Sequence, residues 1–152
     1  MAWHLRCTHA EWTVVKRDES PVEPECLPGR ILVVDDDQST RDLMVSSLRA
    51  ADHDMDPTGN GPEARRLLGR QWYDLIVSNL TMPELDGPSL YSAVTLRWPP
   101  GPAHVLFASA LADTSGYEGF LKVIKARVQA KPLKVGALRL TVRRILLGQP
   151  AA

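Results

Sequence analysis

Residues 30–36 read RILVVDD, an unbroken apolar run that ends in acids. A strand that is buried on both faces of a parallel sheet has this continuous pattern, because neither of its faces meets water. The segment therefore predicts such a strand, with carboxylates at its carboxyl end.

A helix is predicted directly after these acids. Ser39 and Asp42 have the spacing of a capping box, a pattern that opens helices. Leu43, Met44 and Leu48 then fall on one helical face. The first strand is thus expected to feed a helix that packs against the sheet.

Strand and helix signals alternate along the rest of the chain. Pro62 and Pro88 stand near two further helix starts, and Asp113 can cap another helix. Four more strands are predicted, in the segments HDMDPT, YDLIVSN, AHVLFASA and ARVQA. The last helix has one apolar face, formed by Val135, Leu138, Val142 and Leu146. Five strands alternating with five helices predict an α/β protein with a doubly wound parallel sheet.

One ordinary domain is expected from a chain of 152 residues. The segment 1–29 is rich in prolines and acids and is interpreted as a tail or linker, in which EWTVVK could form a short strand. The domain is predicted over residues 30–148, with a tail at 149–152. Charges at the start and the lack of a long apolar run predict a cytoplasmic protein with no membrane segment.

Polar side chains follow four of the predicted strands. They are Asp35, Asp36 and Asp37 after the first strand, Asn79 after the third, Ser109 after the fourth and Lys131 after the fifth. In doubly wound sheets a ligand site forms outside the carboxyl ends of the strands. Clustered carboxylates suit Mg²⁺, and a hydroxyl with an ammonium suits a phosphoryl group. A polar turn that caps the next helix would also explain three adjacent acids.

These segments together resemble the receiver domain of two-component response regulators. ILVVDDD is similar to the family's first-strand motif, DLIVSNLTMPELDG to its phosphorylation loop, VLFASA to its fourth-strand motif and AKPL to its Lys-Pro motif. The resemblance covers about Arg30 to Gly148. It implies a flavodoxin-like (β/α)5 fold with the strand order 2-1-3-4-5.

The resemblance also implies roles for the residues at the strand ends. Asp35 and Asp36 match the acid pair that helps to bind Mg²⁺. Ser109 matches the hydroxyl that contacts the phosphoryl group, and Lys131 matches the lysine that pairs with it. Asn79 falls on the phosphoacceptor aspartate.

Two positions depart from the family pattern. An amide oxygen is a far poorer nucleophile than a carboxylate, so Asn79 is not expected to accept a phosphoryl group. The lost negative charge also lowers the expected affinity for Mg²⁺. Val128 stands where the family usually has the Tyr or Phe that moves with the Ser or Thr. The chain therefore lacks both the usual input and the usual aromatic reporter.

A stand-alone pseudo-receiver that signals by protein contacts is the function that these patterns favour, although decay of an unused site would also explain Asn79. Eight basic residues and no acid occur from Leu121 to Pro150: Lys122, Lys125, Arg127, Lys131, Lys134, Arg139, Arg143 and Arg144. In the family, the fourth helix, fifth strand and fifth helix dock partners. A protein partner is therefore expected on the 113–147 face: a histidine kinase, another regulator, an output protein or a second copy of the chain.

Two other function classes are alternatives to a signalling module. A Mg²⁺-dependent phosphoryl-transfer or phosphatase enzyme could use Asp35 or Asp36, but the two acids are adjacent and no base or substrate pocket accompanies them. A nucleic-acid-binding adaptor could use the basic final quarter. No recognition motif supports it, and 18 basic residues balance 18 acidic ones over the whole chain.

Overall fold

The computed structural model describes residues 3–8, 11–16, 28–97, 105–110, 115–123 and 127–149, the first two stretches as backbone alone. The strands are β1 Trp3–Thr8, β2 Glu11–Lys16, β3 Arg30–Val34, β4 Asp54–Thr58, β5 Leu75–Asn79, β6 Val105–Ser109 and β7 Arg127–Ala130. The helices are α1 Gln38–Arg49, α2 Gly61–Arg70, α3 Gly87–Arg97, α4 Glu118–Val123 and α5 Val135–Leu146.

Strands β3 to β7 form one parallel sheet in the order β4-β3-β5-β6-β7. Counted from β3, this is the order 2-1-3-4-5, so the predicted doubly wound fold is confirmed. The order reverses between β3 and β5, which is where a ligand crevice forms in such sheets. A separate two-stranded sheet pairs β1 with β2 in antiparallel fashion, and β2 consists of the EWTVVK segment.

The sheet separates two apolar cores, and β3 contributes to both of them. Ile31 and Val33 pack in the core that contains residues of α1 and α5. Leu32 and Val34 pack in the core on the other face, with residues of α2 and α3. Because successive side chains of a strand point to opposite faces, the unbroken apolar run of β3 is buried from both sides.

The start of α1 differs from the sequence prediction. Its N-cap is Asp37, whose carboxylate accepts a hydrogen bond of 2.7 Å from the backbone N–H of Thr40. The predicted capping box of Ser39 and Asp42 is therefore wrong, since both residues lie inside the helix. Asp37 directly precedes Gln38, the first helical residue, so its carboxylate is placed to accept from the free amides of the first turn.

The predicted apolar faces of α1 and α5 are confirmed in part. Met44 and Leu48 are buried, but Leu43 is 38% exposed and Val45 is buried instead. The earlier start of α1 does not change this pattern, because the buried stripe follows the side that contacts the sheet and α5. In α5, Leu138 and Val142 are buried as predicted, whereas Val135 and Leu146 are half-buried and Ile145 is buried instead.

The last helices and the loop after β7 complete the described fold. Helix α4 lies within the predicted YEGFLKVIK segment, whereas the predicted cap Asp113 lies outside the described residues. The Lys131-Pro132 peptide bond is cis. None of the helices in the described ranges is long and apolar enough to cross a membrane.

Candidate functional site

The carboxyl ends of the central strands bring together most of the predicted site residues. Asp35 and Asp36 follow β3, Asn79 ends β5, and Lys131 follows β7. Hydrogen bonds join Asp35 to Lys131 and Asp36 to Asn79. These residues therefore lie at the sheet edge where the order of the strands reverses, which is where ligand sites form in doubly wound sheets.

A buried ion pair spans the site from β3 to β7. The Nζ atom of Lys131 donates to Oδ2 of Asp35 over 2.8 Å, and the Asp35 side chain is 0% exposed while that of Lys131 is 19% exposed. The other carboxylate oxygen of Asp35 accepts a bond of 2.9 Å from the backbone N–H of Asp37. Both oxygens of this buried carboxylate are therefore satisfied, which offsets the cost of removing it from water.

Arg41 adds a second cation beside the first-strand acids. Its Nη1 donates to the backbone carbonyl of Asp35 over 2.6 Å. The same guanidinium lies against the position where a Cβ would project from Gly59, in the loop after β4. Arg41 thus links α1, the end of β3 and that loop, a role that its position in the sequence did not indicate.

The Asn79 amide connects the acids of β3 to the loop after β5. Its Nδ2 donates to Oδ1 of Asp36 over 3.0 Å and to the backbone carbonyl of Thr81 over 2.9 Å. The residue is 8% exposed, and its Oδ1 atom is buried with no hydrogen-bond partner among the described residues. The reverse orientation of the amide would set its oxygen against a carboxylate and a carbonyl, which would repel it.

Thr81 was missed by the sequence analysis because it contributes a backbone carbonyl, which every residue has. Its position is determined by the buried side chains around it, Leu80, Met82 and Leu85. Further along the loop, Asp86 accepts a hydrogen bond from the Ser89 N–H at the start of α3. Hydrogen bonding with Ser89, first through its side chain and then through its backbone N–H, lowers the pKa of Asp86. Hydrogen bonds therefore hold the loop after β5 in place near its start, at Thr81, and near its end, at Asp86.

Ser109 and Val128 lie at the edge of this arrangement. Ser109 is buried, its hydroxyl donates to the Ala110 carbonyl over 3.3 Å, and its own carbonyl accepts from the Lys131 N–H. Val128 lies on the edge strand β7 and is 42% exposed. The structure therefore places Ser109 next to the strand end that carries Lys131, and it leaves much of Val128 in water.

Mg²⁺ does not fit the pocket as it is arranged here. No three His, Cys, Asp or Glu side chains are grouped to hold a metal among the described residues. Both Asp35 oxygens are bonded to protein donors, while Asp36 and the Thr81 carbonyl already accept from Asn79. A cation that takes these oxygens as ligands would compete with these donors.

Comparison with known proteins identifies the family. The family model of the response regulator receiver domain matches residues 31–143. The chain belongs to this family. Receiver domains act in two-component signalling with histidine kinases and other regulators, and they typically bind Mg²⁺ at their acidic pocket.

Individual receiver proteins show the extent of the similarity. The response regulator protein FleR of Pseudomonas aeruginosa is 26% identical over 123 residues, which is 81% of this chain and 26% of FleR. The chain thus spans about a quarter of the length of that relative. The receiver domain of the Francisella response regulator 1452 superposes with a TM-score of 0.68 at 27% identity, over 79% of this chain and 98% of that one. The chemotaxis response regulator CheY4 of Vibrio cholerae, at 22% identity and a TM-score of 0.68, shares the fold over 78% of this chain and 98% of its own.

Proposed function

We propose that this receiver domain is a pseudo-receiver, a signalling module of a two-component phosphorelay that is not phosphorylated at the usual position and acts by protein contacts. The observation that carries the proposal is Asn79 at the end of β5, where the resemblance places the phosphoacceptor aspartate. Both N–H groups of its amide are already engaged with Asp36 and Thr81. We propose in addition that the module is not an enzyme.

The chemistry of an amide supports this proposal. Phosphorylation of a carboxylate forms an acyl phosphate by attack of a carboxylate oxygen on phosphorus. The amide oxygen of Asn79 is a weak nucleophile, and the lone pair of Nδ2 is delocalised into the carbonyl. An asparagine at this position therefore leaves the pocket without an acceptor.

The hydrogen bonds around Asn79 support signalling over decay of an unused site. Asp35 keeps its ion pair with Lys131, and Asp36 keeps a donor in Asn79. Buried hydrogen bonds favour one conformation, and the Asp35 carboxylate, the Lys131 ammonium and Nδ2 of Asn79 each have a partner here, whereas Oδ1 of Asn79 has none among the described residues. We infer that the pocket holds the domain in a single state.

The proposed partner surface is formed by α4, β7 and α5. Lys122 and Lys134 are exposed in these elements, as are the apolar side chains of Val123 and Leu140. Arg139 lies on the other side of α5, where it donates to the Ser47 carbonyl of α1. A basic surface with apolar side chains suits an acidic protein partner, whose binding would weaken with added salt. A histidine kinase, another regulator, an output protein or a second copy of the chain are the candidate partners. The cytoplasmic location stays a prediction.

The test is phosphoryl uptake measured by intact mass. The wild type and Asn79→Asp are incubated with Mg²⁺ and a small-molecule phosphodonor such as acetyl phosphate. The matched control is Asn60→Asp, which makes the same change at the exposed N-cap of α2, where Asn and Asp cap equally well. We expect the mass of one phosphoryl group on Asn79→Asp alone.

Two other results would change the interpretation. Uptake by the wild type, mapped to the pocket, would contradict a phosphorylation-independent module. Failure of Asn79→Asp to take up phosphoryl would show that the pocket has lost more than its acceptor, and would favour decay of the phosphorylation site.

A further inference from the structure

The Asn79 side chain holds together two oxygen atoms from different parts of the fold. One belongs to the Asp36 carboxylate after β3, and the other is the Thr81 carbonyl in the loop after β5. The same nitrogen donates to both, over 3.0 Å and 2.9 Å. Two oxygens that face one another repel unless a cation or a donor lies between them, and an NH₂ group has a proton for each.

We propose that the Asn79 amide takes the place of a divalent cation in this pocket, so that the loop after β5 stays bound to the β3 acids with no metal present. The inference deepens the proposed function, on which it rests, by naming how the unphosphorylated pocket is kept in one state. Whether the pocket needs a metal ion can be measured without any phosphoryl transfer.

The charges of the pocket favour an arrangement without metal. An aspartate at position 79 would place a third carboxylate beside Asp35 and Asp36, while the Lys131 ammonium is bonded to Asp35. A cation would then be needed to offset the repulsion. With asparagine, Lys131 neutralises the buried Asp35, while the exposed Asp36 is solvated and accepts from the amide.

Binding of Mg²⁺ would disrupt this bridge. The ion requires near-octahedral oxygen ligands and gives up its water reluctantly. To present Asp36 and Thr81 to the ion, the amide would have to break both of its hydrogen bonds while its nitrogen stayed buried. The apolar side chains of Leu80, Met82 and Leu85 hold the Thr81 carbonyl in place, so the loop cannot easily move to make room.

Thermal unfolding in EDTA and in increasing Mg²⁺ tests the proposal, with no phosphodonor present. We expect the wild-type Tm to be the same in both conditions. Asn79→Asp should unfold about 5 °C lower in EDTA and recover as Mg²⁺ saturates its pocket. Asn60→Asp, the control for an added carboxylate at an exposed position, should behave as the wild type.

The NMR signals of the side-chain NH₂ groups can be measured on the ¹⁵N-labelled wild type, so this test does not depend on a variant that folds. Both Asn79 protons are expected to exchange slowly with water and to keep their shifts when Mg²⁺ is added. In Asp36→Ala the bond to Thr81 remains, so one proton should exchange faster while the other stays protected.

A saturable rise of the wild-type Tm at the Mg²⁺ concentrations that stabilise Asn79→Asp would overturn the inference. Rapid exchange of both Asn79 protons in the wild type would overturn it as well. These results are distinct from failure of the proposed function, because wild type that binds Mg²⁺ and still takes up no phosphoryl group would leave that function standing.

Discussion

At the scale of single residues, the ion pair of Asp35 and Lys131 determines how charge is balanced in the pocket. The Asp35 carboxylate is fully buried, and Lys131 is the ammonium bonded to it at 2.8 Å. Removing one partner of a buried pair is costly because the other charge stays in a medium of low polarity.

Replacement of this lysine is therefore expected to destabilise the fold. Lys131→Met should lower the free energy of unfolding by about 3 kcal/mol, measured by urea denaturation. Lys122→Met, the same change at an exposed position in the last turn of α4, should have little effect. Adding Asp35→Asn to Lys131→Met should recover part of the loss. Equal effects of the two methionine variants would contradict the importance of the pair.

At the scale of elements, α2 carries two glycines in opposite surroundings. A Cβ on Gly61, the first helical residue, would clash with the Cβ of Leu85 in the loop after β5. A Cβ on Gly69, near the other end, would meet nothing within 4 Å. The start of α2 is thus packed against the functional loop, while its end has open space.

Alanine substitutions at these two glycines should consequently change the free energy of unfolding in opposite directions. Gly61→Ala is expected to lower the free energy of unfolding by about 1 to 3 kcal/mol, because the loop must shift. Gly69→Ala is expected to raise it by about 0.5 to 1 kcal/mol through helix propensity. Chemical denaturation of the two variants beside the wild type measures both changes. A stabilising Gly61→Ala would show that Leu85 and its loop move freely.

At the scale of the whole molecule, the formal net charge of zero keeps general charge repulsion small near neutral pH, so individual titrating groups should dominate the pH dependence of stability. His53 is such a group. It is buried between α1 and β4, and its Nδ1 accepts a hydrogen bond of 3.2 Å from the Gly29 N–H. Burial lowers the pKa of His53 below its usual value, with Asp52 acting weakly in the opposite direction.

The sign of the pH effect follows from this lowered pKa. Near and below pH 6.5 the unfolded chain binds the His53 proton more readily than the folded protein does, so this contribution to stability is present at higher pH and is lost on acidification. The urea midpoint of the wild type should fall between pH 7.5 and pH 5.5, a window of about one unit on either side of that value. His53→Asn, which can still accept from Gly29 but cannot titrate, should show a weaker dependence. An unchanged pH profile in the variant would assign the effect to other groups.

The boundaries of the receiver domain are also a property of the whole molecule. The family model covers residues 31–143, within the predicted domain of 30–148. The hydrogen bonds from the Gly29 and Arg30 backbone amides to His53 and Asp74 tie the start of this domain to the sheet. The assignment of 1–29 and 149–152 as tails stays a prediction.

The sequence by itself determined the fold. Which side chains are buried is visible in the local sequence pattern, as the continuous apolar run of β3 and the alternation of strand and helix signals show. It also determined that position 79 carries an amide, whose oxygen is a poorer nucleophile than a carboxylate oxygen. Only the tertiary structure decided what the amide binds. Asp36 is 43 residues away in the chain, and the Thr81 carbonyl is a backbone group without a sequence signal. The cap of α1 was likewise decided by the geometry of the strand end, because several neighbouring side chains could have accepted the same hydrogen bond.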